Sequence, residues 1–161
     1  AWLPLAEKLA PNGERFASHL SYYPLAMYWP EDMRWSKAPM LNLLGGKDDY
    51  TPFSLTQRLT KGISDSGGNC EDILYEEGLH GFDAVQPKTY WPDSIAPTTE
   101  KFARIDLKGD ISFETDDGEI LAGNTVEDRI KLFEKVAKLG TWTGGNWEIR
   151  RRAKKDAFDF I

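Results

Sequence analysis

Two short stretches concentrate the side chains able to move protons. The first is Leu44-Gly45-Gly46-Lys47-Asp48-Asp49-Tyr50-Thr51-Pro52, and the second is Tyr75-Glu76-Glu77-Gly78-Leu79-His80-Gly81-Phe82-Asp83. An imidazole beside a carboxylate is equipped for proton transfer near neutral pH. Each stretch follows an apolar run, Met40 to Leu44 or Cys70 to Tyr75, so each is the exit of a predicted strand. In an open parallel sheet such exits gather at the carboxyl edge, where ligands bind. Asp48 and His80 are 80 − 48 = 32 positions apart, room for one helix and one strand. That spacing puts them on neighbouring loops.

The elements that must hold these loops are legible in outline. Trp2 to Ala10 has helical apolar spacing and ends at Pro11-Asn12-Gly13. Arg15 to Tyr23 reads as a strand closed by Pro24, and a Trp- and Met-rich loop follows to Lys37. Ala38 to Leu44 is a second strand, broken by Gly45-Gly46. A helix starting at Thr51-Pro52 carries Leu55, Leu59 and Ile63, with proline near its first turn. After the loop Ser64 to Asn69, Cys70 to Tyr75 is a third strand. Strands alternating with helices predict a parallel sheet, hence an α/β fold.

Beyond His80, the stretch Gln86 to Thr99 is rich in Pro, Thr and Ser and reads as an extended loop. Phe102 to Leu107, Ile111 to Glu114 and Glu119 to Ala122 alternate apolar and polar residues around Lys108-Gly109 and Asp116-Asp117-Gly118. They predict a small antiparallel insertion over about residues 100–123. Thr125 is placed to cap a helix with Ile130, Leu132, Phe133 and Val136 on one face, ended by Gly140. A last amphipathic helix runs from about Asn146 to Ile161.

Composition narrows the functions these elements can serve. The chain has 161 residues with 20 Lys and Arg against 26 Asp and Glu, a net charge of −6. That length suits one domain burying roughly 70% of its unfolded surface. The acidic balance argues against binding nucleic acid or an anionic membrane, and no stretch approaches the roughly 20 apolar residues of a membrane span. Cys70 is the single cysteine, so neither an internal disulfide nor a multi-cysteine zinc site is available. With only His19 and His80 to add, no metal is expected.

Gly-Gly-Lys-Asp-Asp-Tyr-Thr-Pro followed by Glu-Gly-Leu-His-Gly-Phe-Asp resembles the C-terminal half of an α/β-hydrolase. The dienelactone hydrolase family, with its prolyl-oligopeptidase-like relatives, is the resemblance drawn, and residues 1–83 carry it. It implies a partial α/β-hydrolase fold, parallel strands with flanking helices plus the hairpin insertion. It further implies that Asp48 is the acid and His80 the base of a Ser/Cys-His-Asp triad acting on a small ester or lactone, without a cofactor. Asp49 is the rival acid; two glycines, one residue, then Asp is the family pattern, and it lands on Asp48. Gly81 suits a loop that swings a histidine over a strand end, and Phe82 is expected to pack beneath it.

The family's nucleophile elbow, G-x-S-x-G or its Cys form, is missing. Ser64-Asp65-Ser66-Gly67-Gly68 lies after the acid, and Cys70 starts a strand in the wrong order. Trp2 to Ala10 resembles the later part of the helix that follows the elbow, so the nucleophile is expected upstream of Ala1. Three parallel strands alone leave an edge open. The N-terminal half of the same fold or a second chain is therefore the expected partner, and the chain alone is expected to be inactive.

Tyr23, Trp29 and Trp35 are the candidate substrate-binding residues, because the loop from Pro24 to Lys37 crosses the rim where substrate enters. Ordinary packing competes for the two tryptophans. His19 reads as a packed strand residue, Cys70 as a small buried hydrophobe, and Asp116-Asp117-Gly118 as a turn rather than a calcium loop. Two other functions stay open: a peptidase of the same superfamily, and a non-catalytic interaction module. The module would bind a partner protein through the aromatic loop and the basic face of Arg150-Arg151-Arg152 and Lys154-Lys155.

Overall fold

A computed structural model describes residues 2–161. Its centre is a three-stranded parallel sheet of β1 (His19–Tyr22), β3 (Met40–Gly45) and β4 (Cys70–Tyr75), in the order β1-β3-β4. Successive strand residues point to opposite faces, and both faces are covered. On one face Leu41, Leu43 and Tyr75 pack against Ile149, Ala153 and Ala157 of the last helix, α4 (Trp147–Phe160). On the other, Met40 and Cys70 pack with Leu59 and Ile63 of α2 (Phe53–Asp65), the crossover between β3 and β4. Burial on two sides is why β3 reads as an almost unbroken apolar run.

A polar ladder interrupts the α2 face. Asn42 Nδ2 donates to Asp72 Oδ1 at 2.9 Å and to Thr60 Oγ1 at 3.1 Å, and Ser21 Oγ donates to Asn42 Oδ1 at 2.5 Å. All three strands are thereby cross-linked through side chains as well as backbone.

Outside this core, α1 (Leu3–Leu9) lies near the amino end of the strands, where Trp2 bridges Trp35. The meander of β6 (Ala103–Ile105), β7 (Ile111–Glu114) and β8 (Ile120–Ala122) forms as an antiparallel insertion. The Trp-rich loop adds to it: β2 (Tyr28–Pro30) pairs parallel with β6. Residues 116–118 form the β7–β8 turn, with Gly118 at φ +84°.

Three expectations need correction. Strand β1 begins at His19, not Arg15. The stretch from Gln86 to Thr99 is not a loop, because Thr89–Pro97 forms β5, paired antiparallel with β9 (Ala137–Thr143). The helix capped by Thr125, α3, runs only over Val126–Val136, and Gly140 lies inside β9 rather than at a helix end. Leu132 and Val136 are buried against the meander's Ala103 and Phe113, whereas Ile130 and Phe133 are half-exposed.

Candidate active site

The exits of β3 and β4 are fused by contact between backbones. A Cβ on Gly46 would lie 2.5 Å from the Glu76 carbonyl oxygen, and one on Gly45 would lie 2.6 Å from that of Gly78. Only glycine permits this approach. Lys47 N–H then donates to Gly78 O at 2.8 Å, tying the loop of Asp48 to the loop of His80.

Asp48 curls back on its own loop as Asx turns do. Its Oδ1 accepts the N–H groups of Tyr50 at 2.9 Å and Thr51 at 2.7 Å. Its Oδ2 accepts the Thr51 hydroxyl at 2.8 Å and lies 3.0 Å from His80 Nδ1. The Asp48 side chain is 0% exposed. Four donors around one carboxylate offset the cost of removing it from water. An ionised carboxylate can only accept, so the facing ring nitrogen must carry hydrogen. In neutral His80 that leaves the lone pair on Nε2.

The imidazole is held on several sides. Its loop turns at Gly81, φ +72°, and stands on Phe82, which is fully buried. The rings of Tyr23 and Tyr50 lie 4.4 Å and 4.6 Å from it, centroid to centroid. Behind it, Gly144 N–H donates to His80 O at 2.9 Å, and Thr143 forms a β-bridge with His80. Among the described residues, no hydroxyl or thiol hydrogen-bonds to Nε2.

Tyr23 takes a backbone conformation rare for a bulky residue, φ +39°. Its N–H donates to Leu43 O at 2.8 Å, and its carbonyl, 3.0 Å from Thr51 Oγ1, shares that hydroxyl's one hydrogen with Asp48. Burial, reinforced by the Asp83 carboxylate, pushes its phenol up to about 12.

The structure thus gathers Asp48, His80 and Tyr23 at the carboxyl ends of β3, β4 and β1. It leaves Trp29 and Trp35 elsewhere. Trp29 packs on Phe102 with ring centroids 5.1 Å apart, fits against Gly62, and lines a cleft of about 770 Å³ between α2 and the meander. Trp35 packs with Met40, Ile63 and Cys70 at the amino end of the strands. Asp49 turns away from the imidazole, and its Oδ1 accepts the N–H of Trp142 at 3.0 Å. Cys70 is buried at the opposite end of β4 from His80, and burial pushes its thiol up. Sequence reasoning overlooked Tyr50 and Thr51. Their signal was present, since Asp48 three residues before Thr51 is Asx-turn spacing.

An acid and an imidazole joined at adjacent exits of a helix-flanked parallel sheet are features of the α/β-hydrolase superfamily. The model of the dienelactone hydrolase family matches residues 4–104, and the chain belongs to that family. Membership supports hydrolase activity. No curated protein and no solved structure matched the chain.

Proposed function

We propose that the protein hydrolyses carboxylic esters or lactones by acyl transfer, with His80 as the base and Asp48 as its orienting acid. The observation that carries this reading is the 3.0 Å contact between Asp48 Oδ2 and His80 Nδ1, which leaves Nε2 as the nitrogen free to act as base. The step would run as follows. Nε2 takes the proton of a Ser or Cys nucleophile as it attacks the carbonyl carbon, and Asp48 stabilises the resulting imidazolium. The imidazolium returns that proton to the leaving oxygen as the C–O bond breaks. Water repeats the sequence on the acyl intermediate, releasing the acid.

The nucleophile in this reading comes from a segment outside these 161 residues or from a second chain. The open edge of β1, with half-exposed Leu5 and exposed Phe16 beside it, supports a partner there. The test is hydrolysis of a panel of aryl esters and lactones by the protein together with its nucleophile-bearing part. His80→Ala is expected to lower kcat/KM by roughly 10³-fold or more. Undiminished turnover in that variant would overturn the proposal.

A further inference from the structure

We infer that the Thr51 hydroxyl is a positioning group that holds the His80 ring and its Nδ1 proton against Asp48, an inference that rests on reading Asp48 and His80 as an acid–base pair. Thr51 is 7% exposed, and its Oγ1 touches three segments of the chain at once. It lies 2.8 Å from Asp48 Oδ2, 3.1 Å from His80 Nδ1 and 3.0 Å from Tyr23 O. Capping a local turn requires only the Thr51 backbone N–H, which Asp48 Oδ1 already uses. The hydroxyl's links to His80 and Tyr23 cross 29 and 28 residues of sequence.

Counting hydrogens gives those links a chemical consequence. With hydrogen on Nδ1, two donors, Nδ1–H and Oγ1–H, serve three acceptors: Oδ2, Oγ1 and the Tyr23 carbonyl. With hydrogen on Nε2, the hydroxyl is the lone donor for Oδ2, Tyr23 O and a bare Nδ1 facing a carboxylate at 3.0 Å. The second arrangement leaves buried acceptors unmet, which costs more than any single hydrogen bond contributes. Asp48 alone favours Nδ1–H. Thr51 adds a second acceptor for that hydrogen and holds the carbonyl of Tyr23, whose ring packs on the imidazole. One hydroxyl therefore braces both the Nδ1 proton that Asp48 holds and the wall beside it.

The test is NMR of the histidine-labelled chain, with the His80 Nδ1–H resonance assigned by its loss in His80→Ala. Thr51→Val, nearly isosteric, is expected to speed solvent exchange of that proton on the order of tenfold. Thr51→Ser is expected to restore the wild-type spectrum. An unchanged exchange rate of that proton in Thr51→Val would overturn the inference. Asp48→Asn separates the two levels. If it abolishes the resonance while Thr51→Val leaves it untouched, the role of Thr51 fails and the acid–base pair stands; if it too leaves the resonance untouched, both fail.

Discussion

Gly46 and Glu76 meet backbone to backbone: a methyl group on Gly46 would sit 2.5 Å from the Glu76 carbonyl oxygen and 2.8 Å from its Cα. Neither atom belongs to a flexible side chain that could swing aside. Gly46→Ala is therefore expected to part the loops of Asp48 and His80 and to destabilise the protein by about 1–3 kcal/mol. Urea unfolding reads the stability. Loss of the downfield His80 proton signal reads the separation.

The two adjacent aspartates are expected to behave differently when neutralised. Asp48→Asn replaces an acceptor-only carboxylate by an amide that can present N–H to the imidazole, and kcat is expected to fall about 10⁴-fold, as when a triad acid is amidated. Asp49→Asn keeps an oxygen for the Trp142 N–H and is expected to leave kcat close to wild type. Equal losses in the two variants would count against Asp48 as the acid.

Tyr23 predicts a loss of stability in alkali. Its folded-state value of about 12 lies above the ordinary 10.0 because burial, then the Asp83 carboxylate, opposes the phenolate. The neutral phenol's contribution is fully present below pH 10, where both states are protonated. It is lost as pH rises from 10 to 12, where only the unfolded chain has given up the proton. Denaturant midpoints measured across that range are expected to decline less steeply in Tyr23→Phe.

Helix α3 is held at its start by a reciprocal cap. Thr125 Oγ1 accepts the Asp128 N–H at 3.1 Å, and Asp128 Oδ2 accepts the Thr125 N–H at 3.1 Å. Thr125→Ala is expected to cost about 1 kcal/mol. Amide exchange localises the effect to α3 and the meander beneath it, with the His80 resonances unmoved.

The contrast between what was and was not legible in the residues follows from the range of the forces involved. Strands β3 and β4 and helix α2 announced themselves because each is a short apolar run or a helical apolar stripe set off by Gly or Pro. That pattern also placed Asp48 and His80 on adjoining loops. The β5–β9 ribbon was hidden. Pro92 and Pro97 lower the strand signal of β5, and its partner begins directly where α3 ends, so Gly140 looked like a helix stop. Their pairing joins Thr89 to Thr143 and Pro97 to Ala137, and no local pattern reports a match across such separations. The same reason concealed Thr51. Its backbone role is local and readable, but its hydroxyl meets Tyr23 and His80 only once the sheet exists. Trp29 was legible as an aromatic beside a predicted strand end, yet its partner Phe102 comes from the insertion, which draws it away from Asp48 and His80.

Phe82, the floor under His80, rests on Ile149 and Ala153 of α4, and Asn146 at the head of that helix donates its N–H to Phe82 O at 2.9 Å. The imidazole thus depends on a helix far along the chain from it. Removing residues 146–161 would keep Asp48, His80 and every strand among the described residues, yet would strip Phe82 of the helix it packs against. The site is only as firm as a helix that contributes no group to it.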